Sequence, residues 1–352
     1  PLLAAALGLA RTTPAELPTL AAANAAAPNA AEAPRPNVVL IVLDTQRADH
    51  LGAYGDPRGL SPAFDALAAQ GTLFERCHAP APWTVPSHAS LFTGLYPTSH
   101  GATFEQHRWL DDDFTTLAEA LRQAGYRTVG FAANGHVALA NLAQGFEVYR
   151  EIAAPFERLA LRRFVERLGL PARWADQGAA QGVLEIDGFL RERARRADAA
   201  SEQDGGASAP PLFLFINLLE PHWRYLPPLA ERARWLPDGA STLDATAFAS
   251  GFYGPLWMAR TRPADAREIE QLRGLYAGEV AYQDAQLGRI VASIDRHLGP
   301  DTLLVVTADH GENLGEAGRF DHVVAISDHL VRVPMLVRVA GHFEAGARGP
   351  GP

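Results

Sequence analysis

The sequence predicts an α/β sandwich, with a mostly parallel central sheet flanked by helices on both faces. Two observations predict this class. The run at residues 38–43 is continuous, apolar and largely β-branched, and similar runs lie at residues 212–219 and 303–306. Such runs are typical of strands buried on both faces, as in a parallel sheet. Helical patterns lie between these runs, and strands that alternate with helices favour a parallel sheet.

The remaining elements follow from periodicity and from turn residues. Two further strands are predicted at residues 128–132 and 333–339. Predicted helices span residues 61–70, 87–92, 117–124, 156–168, 182–196 and 269–297. Gly125 follows one of these patterns, and glycine is common directly after a helix. Residues 197–211, rich in Asp, Ala, Ser, Gly and Pro, are predicted to form a loop.

Composition excludes several classes of protein. The chain has 352 residues, a net charge of −9 and 47% hydrophobic residues, so it is too apolar to be disordered throughout. A single cysteine excludes a disulfide scaffold. A mildly acidic chain lacks the basic surface of a nucleic-acid binder, so we expect no nucleic-acid partner. All 31 basic residues are arginine, which excludes mechanisms that need a lysine.

The two ends predict no folded element. Residues 1–36 are rich in Ala and Pro and read either as a flexible tail or as the remnant of a signal sequence or membrane anchor with its linker. Residues 346–352 read as a second tail. We expect the chain to be a fragment whose ordered part begins at Asn37, exported or anchored with the domain outside the cytoplasm.

Polar residues follow three of the predicted strands. Asp44 follows the first, His222 comes shortly after the run at 212–219, and Asp309 and His310 follow the run at 303–306. Ligands of open α/β sheets bind at the carboxyl ends of the strands, so these side chains are predicted to converge. Two carboxylates and an imidazole suit one divalent cation. The alternative for each aspartate is a helix cap or a turn residue.

The segment around Thr84 predicts an anion site. Pro86 suits the first turn of a helix, which places Thr84 just before the N-terminus. The partial positive charge and free N–H groups of a helix N-terminus attract a phosphate or sulfate oxyanion. The alternative is that Thr84 is only the N-cap residue.

Several segments, taken in order, resemble motifs of the sulfatase family within the alkaline phosphatase superfamily. The resemblance runs from Asn37 to about Gly341. It rests on residues 37–44 (NVVLIVLD), 84–94 (TVPSHASLFTG), 95–97 (LYP), 100–101 (HG), 125–128 (GYRT), 220–222 (EPH), 307–312 (TADHGE), 314–316 (LGE), 321–322 (DH) and 331–335 (VRVPM). Each motif alone is weak evidence for the family, but the occurrence of all of them in this order is specific to it.

The resemblance implies a fold and a metal site. Residues 37–345 are expected to form an alkaline phosphatase-like sandwich, with a small C-terminal subdomain truncated after about residue 345. Asp44, Asp309 and His310 are expected to hold one divalent ion, Ca, Mn or Zn, together with Thr84.

Departures from the family pattern alter the expected chemistry. The position that sulfatases convert from Cys or Ser to formylglycine is Thr84, so we expect no formylglycine. The arginine of the same motif is His88. The family segment that presents a lysine and a histidine to sulfate aligns with residues 132–135, where Asn134 or His136 is predicted to substitute in part.

These features predict a metal-dependent hydrolase or transferase of phosphate or sulfate esters, with Thr84 as the nucleophile. Formylglycine releases sulfate by elimination, which threonine cannot do, so a threonine intermediate needs a second attack. That route is familiar for phosphoryl groups, and a phosphoester is therefore favoured. His222 and His322 are predicted to bind the anion's oxygens or to protonate the leaving group.

Alternatives remain for the roles of two residues and for the function of the chain. His88 and Arg47 are candidates either to bind the oxyanion or to support the residues that bind it, although Arg47 could instead anchor Asp49 in a salt bridge. The substrate is expected to be a small-molecule, lipid or sugar ester. The competing functions are a sulfatase that works without formylglycine and a catalytically inactive binding module. Retention of Asp309 and His310 argues against an inactive module.

Overall fold

The computed structural model describes residues 35–152, 177–203, 209–243, 245, 263–323, 325–340 and 345–350. The strands are β1 (Val38–Leu43), β2 (Thr72–Phe74), β3 (Cys77–His78), β4 (Arg127–Ala132), β5 (Val148–Glu151), β6 (Leu212–Leu218), β7 (Leu303–Thr307), β8 (Asn313–Leu314), β9 (Phe320–Asp321), β10 (Arg332–Val333), β11 (Met335–Arg338) and β12 (Ala347–Gly349). The helices are α1 (Pro62–Ala68), α2 (Thr84–Thr93), α3 (Pro97–His100), α4 (Leu117–Gln123), α5 (Gly135–Leu139), α6 (Ala179–Gln203), α7 (Leu229–Trp235), α8 (Ala266–Leu298) and α9 (Asp328–Val331).

Eight strands form the central sheet, in the order β12-β2-β11-β7-β1-β6-β4-β5. The five strands from β7 to β5 run parallel to one another. Strand β11 is antiparallel to both of its neighbours, and β12 is parallel to β2. The prediction of a mostly parallel sheet is therefore confirmed.

Helices cover both faces of this sheet because β1 is apolar on both of its faces. All six residues of β1 are buried. Val39 packs in a core cluster with Leu272 of α8, while Leu40 packs in a second cluster with Phe92 of α2. Successive strand residues point to opposite faces, so one unbroken apolar run serves both cores.

Pro334 divides the strand predicted at residues 333–339. Proline has no N–H to donate to a strand ladder. The chain accordingly changes partner here: β10 pairs with β3, and β11 pairs with β7 and β2.

Three other predictions differ from the structure or fall outside it. Helix α6 runs to Gln203, although a loop was predicted from residue 197, because this stretch is rich in alanine, the strongest helix former. Strand β12 lies where a tail was predicted from residue 346, since its backbone pairs with β2. The predicted helix at 156–168 and residues 1–34 lie outside the described residues.

Asp284 of α8 joins two helices, and its titration provides a test of the packing. Its carboxylate accepts hydrogen bonds from the backbone N–H groups of Ala63 and Phe64, each at 2.8 Å. Burial raises the pKa of Asp284 to about 6, so the folded state holds this proton more tightly than the unfolded chain. The stabilisation that the protonated Asp284 carboxyl provides is complete below the pKa of this group in the unfolded chain. It is lost as the pH rises through the pKa of the group in the folded protein. Relative to Asp284→Asn, we expect the wild type to lose about 2 kcal/mol of unfolding free energy between about pH 4 and about pH 7.

Urea unfolding of both proteins across this pH range measures the difference in their unfolding free energies. The contributions of the other titrating groups are the same in both proteins and cancel in this difference. Parallel pH profiles for the two proteins would contradict the prediction.

Candidate active site

Polar side chains from the ends of four neighbouring strands meet at one edge of the sheet. Asp44 follows β1, and Asp309 and His310 follow β7 after one alanine. Asn217 lies near the end of β6, and Asn134 follows β4. Because β7, β1, β6 and β4 are parallel neighbours, their carboxyl ends share this edge. Side chains that are far apart in the sequence are thus brought together here.

Asp44, Asp309 and His310 form a buried cluster that fits a cation. Their ligand atoms lie within 4.8 Å of one another. Asp44 Oδ1, Asp309 Oδ2 and His310 Nε2 have no hydrogen-bond partner among the described residues. Leaving a buried polar atom unpaired is unfavourable by about 1–3 kcal/mol, so three such atoms in one place indicate a missing partner.

The tautomer of His310 supports the same conclusion. Its Nδ1 lies 2.9 Å from the Gly311 carbonyl, which places the ring proton on Nδ1 and leaves a lone pair on Nε2. Nε2 lies 3.3 Å from Asp309 Oδ2. Burial lowers the pKa of His310 well below its ordinary value and raises the pKa of Asp309. Two lone pairs that face each other repel, and a divalent cation satisfies both.

Thr84 lies beside this cluster as the first residue of α2. Its side chain is buried, and Asn134 Nδ2 donates to both Thr84 Oγ1 (3.2 Å) and Asp44 Oδ2 (2.7 Å). Trp83 occupies the N-cap position without a side-chain hydrogen bond. The alternative in which Thr84 is only the N-cap is therefore wrong, and Thr84 shares one amide donor with Asp44.

Two side chains of α2 attach the helix to Asp309. Ser87 Oγ donates to the Asp309 carbonyl oxygen at 2.5 Å. The His88 Nδ1 lies 3.0 Å from the Thr84 carbonyl oxygen and 3.4 Å from Asp309 Oδ2. His88 is fully buried, and its ring meets Phe215 edge-on at 6.1 Å. Of the two roles predicted for His88, this placement favours support of Thr84 and Asp309 from within the core.

Three imidazole rings lie next to one another at the cluster. The centroid of His322 is 4.5 Å from that of His310 and 5.0 Å from that of His222. His222 Nδ1 lies 2.6 Å from the Trp223 carbonyl oxygen, so it carries the proton and Nε2 has the lone pair of the neutral ring. The structure thus places both predicted histidines beside the metal-ligand candidates.

Two carboxylates hold His322. Its Nδ1 lies 3.1 Å from Glu312 Oε1 and 3.0 Å from Asp321 Oδ1. Burial alone would lower its pKa, but these carboxylates raise the pKa of His322 well above its ordinary value. The two carboxylates therefore favour the protonated ring, in which Nε2–H is a second donor. These three residues also lie close enough to hold a metal, but the bonds to Nδ1 already account for their arrangement.

Arg47 is an anchor within the structure. Its Nε and Nη2 donate to the two carboxylate oxygens of Asp49, at 2.9 and 2.7 Å. Its Nη1 donates to Glu316 Oε1 and to the Glu312 carbonyl oxygen. Of the two predicted alternatives, this geometry favours the ion pair with Asp49 and leaves no support for contact between Arg47 and a substrate.

Asn217 is a residue of the site that the sequence reasoning missed. Its Nδ2 donates to Asp44 Oδ2 at 3.3 Å, and its Oδ1 accepts from the Asn134 backbone N–H at 2.9 Å. It therefore connects the ends of β1, β6 and β4. A single amide in an otherwise apolar buried strand was the available signal.

Tyr276 of α8 was also missed. Its hydroxyl donates to the Thr45 carbonyl oxygen at 2.7 Å and accepts from the Arg47 N–H at 3.0 Å. Thr45 has a left-handed backbone, with φ of 51°, and its N–H donates to Asp309 Oδ1 at 3.3 Å. Tyr276 thus fixes the turn that follows Asp44, and nothing in the sequence distinguishes it from a core aromatic residue.

Comparison with known proteins identifies relatives along most of the chain. The sequence profile of the Sulfatase family matches residues 36–350. An ulvan-active sulfatase of Formosa agariphila is 25% identical over 321 residues, which cover 88% of this chain and 57% of that protein. The multifunctional alkaline phosphatase superfamily protein PehA of Trinickia caryophylli is 26% identical over 357 residues, covering 87% of this chain and 69% of PehA.

The fold has solved counterparts. The crystal structure of the phosphonate monoester hydrolase of Agrobacterium radiobacter superposes with a TM-score of 0.66 at 24% identity, covering 90% of this chain and 70% of that one. Of the ulvan-active sulfatase, by contrast, the chain spans little more than half of the length. Because the profile match extends over 36–350 and the sheet has the expected topology, the chain belongs to the sulfatase family of the alkaline phosphatase superfamily.

Proposed function

We propose that this chain is a metal-dependent hydrolase or transferase that cleaves phosphate or sulfate esters, with phosphate esters preferred. One observation carries the proposal: the Thr84 hydroxyl, at the N-terminus of α2, shares the Asn134 amide with Asp44. A hydroxyl is a weak nucleophile until a base or a metal activates it, and the residues that we propose as metal ligands lie beside this one.

Asp44, Asp309, His310 and Thr84 would hold one divalent ion, with Ca, Mn and Zn as candidates. Carboxylate oxygens with one imidazole suit such ions. When bound, the ion would lower the pKa of the threonine hydroxyl and offset charge on the ester oxygens.

The other residues act around Thr84. Asn134 orients its Oγ, whose proton passes to water as Oγ attacks phosphorus and the bond to the leaving oxygen breaks. The free N–H groups at the start of α2 and the His322 cation bind the non-bridging oxygens. His322 transfers its Nε2 proton to the leaving oxygen and regains a proton from the water or alcohol of the second attack, since Nε2 of His222 has a lone pair and no proton. Water or an acceptor alcohol then attacks the phosphorus and regenerates the Thr84 hydroxyl.

A sulfate ester is the second candidate substrate. The name of the Formosa agariphila relative, an ulvan-active sulfatase, favours it. The chemistry of Thr84 favours phosphate, since threonine lacks the second hydroxyl that lets formylglycine eliminate sulfate.

Parallel assays test this preference. We expect 4-nitrophenyl phosphate, or bis(4-nitrophenyl) phosphate, to be turned over with a kcat/KM at least about 10-fold above that of 4-nitrophenyl sulfate, a difference of about 1.4 kcal/mol in transition-state binding. Acid quenching during turnover should trap phosphothreonine at Thr84, which peptide mass spectrometry locates. Turnover of the sulfate ester alone would establish the sulfatase alternative, and no turnover by metal-loaded protein would favour an inactive binding module.

An extracytoplasmic location belongs to the same proposal. It rests on the Ala/Pro-rich composition of residues 1–36. Among the helices that the structure describes, none combines the length and apolarity needed to cross a bilayer.

A further inference from the structure

An open groove of about 430 Å³ has among its lining residues the direct chain neighbours of two candidate active-site residues. Trp83, which precedes Thr84, and Val323, which follows His322, both line it. The Val323 N–H donates to the Pro82 carbonyl oxygen at 3.2 Å, which joins the segment before Thr84 to the segment after His322. An organic group attached to an ester at Thr84 therefore has this groove as its neighbour.

The groove exposes large apolar side chains that globular proteins usually bury. Phe104, Val323 and Ile326 line it and are 41%, 37% and 81% exposed. Phe104 stacks on Trp83 at 4.1 Å, and the Arg108 guanidinium lies 4.6 Å from the Phe104 ring centroid. The Phe104 ring is thus held between Trp83 and Arg108, so it loses little further conformational entropy when a ligand binds. Apolar side chains clustered at a functional site are typical of a ligand groove.

The charge of the lining residues restricts the class of ligand that the groove can bind. Among the described residues that line the groove, Glu105 is the only ionisable one, and it is a carboxylate. A sugar that carries further sulfate or phosphate groups would meet the Glu105 carboxylate here and would find few partners for its hydroxyl groups. Removing those groups from water without new hydrogen bonds is unfavourable.

We propose that this groove binds a flat, apolar organic group of the ester substrate, so the preferred substrate is a monoester or diester of an uncharged aromatic or similarly apolar alcohol. The proposal rests on the proposed function, because it assigns the organic part of that substrate. It differs from the polysaccharide named for the ulvan-active relative.

Binding to the Thr84→Ala protein tests the groove without requiring turnover. Isothermal titration with divalent metal present compares 2-naphthyl phosphate with ethyl phosphate, which have the same anionic group. We expect the naphthyl ester to bind about 100-fold more tightly, and we expect Phe104→Ala or Ile326→Ser to reduce that preference about 10-fold each. Leu184→Ser is the matched control, since Leu184 is 68% exposed on α6 and does not line the groove.

Several outcomes would overturn the proposal. They are equal affinities for the two esters, no measurable affinity for the naphthyl ester, an equal effect of Leu184→Ser, or tighter binding of a sulfated disaccharide than of 2-naphthyl sulfate. A change in molecular mass on Ile326→Ser, measured by light scattering, would instead identify a contact between copies of the chain and would also overturn it. Turnover of ethyl phosphate by the unsubstituted chain is a separate test of the proposed function, so failure of either proposal is recognised independently.

Discussion

Thr84→Ala is expected to reduce kcat/KM for the ester substrate by at least about 10⁴-fold, since removing a catalytic nucleophile has effects of this size or larger. The physical reason is that the covalent bond to phosphorus forms at Oγ, and alanine has no atom there. The fold should persist, because the hydroxyl makes only one described hydrogen bond, to Asn134 Nδ2. Initial rates measure the loss, and near-ultraviolet circular dichroism checks the fold.

Two variants control this experiment. Thr93→Ala removes a hydroxyl from the last residue of the same helix, where Thr93 Oγ1 donates to the Ala89 carbonyl oxygen. It should leave kcat/KM within about 3-fold, or about 0.7 kcal/mol. Thr84→Ser keeps the nucleophilic oxygen and should retain activity within about 10-fold. Activity in Thr84→Ala close to that of Thr84→Ser would refute the nucleophile assignment.

Removal of divalent metal is expected to produce the second large effect. Dialysis against a chelator should abolish turnover and lower the free energy of unfolding by about 4 kcal/mol relative to protein in a 1,000-fold excess of ion over its Kd. The cause is the set of buried, unpartnered donor atoms on Asp44, Asp309 and His310, whose charge and lone pairs lose their compensation. Calorimetry and elemental analysis of the two preparations measure both changes.

Asp309→Asn distinguishes a metal site from an ordinary buried carboxylate. Without metal, the variant should be more stable than the wild type by on the order of 2 kcal/mol, because it removes a buried charge. With excess metal the order should reverse, since the variant has lost a ligand. Asp301→Asn, at an exposed position just before β7, should follow the wild type in both conditions. The same order of stabilities with and without metal would contradict a cation site at Asp309.

Much of the fold was predictable because its strands are locally encoded. The run 38–43 is apolar on both faces, and only the centre of a parallel sheet buries both faces of a strand. The positions of Asp44, Asp309 and His310 after such strands were sufficient to predict one shared edge, because parallel strands end together. The predictions were less accurate at Pro334 and beyond residue 197, where a strand break and a helix end depend on pairing partners and on helix propensity.

The roles of individual side chains required the tertiary structure. Sequence order does not reveal that Arg47 faces Asp49 and Glu316, or that His88 is enclosed in the core. Tyr276 is 231 residues away from the Thr45 carbonyl that it holds. Glu312 and Asp321, which make His322 a cation, gave no signal of that role.

The sequence by itself therefore determined the family, the sheet and the residues that could bind a cation, because strand burial and strand-end chemistry are local properties. Only the tertiary structure decided which lone pairs are left without a partner among the described residues, which histidine lies between two carboxylates and which apolar side chains line the groove next to Trp83. Those features depend on the distances and directions between groups from different strands and helices, and packing alone sets them.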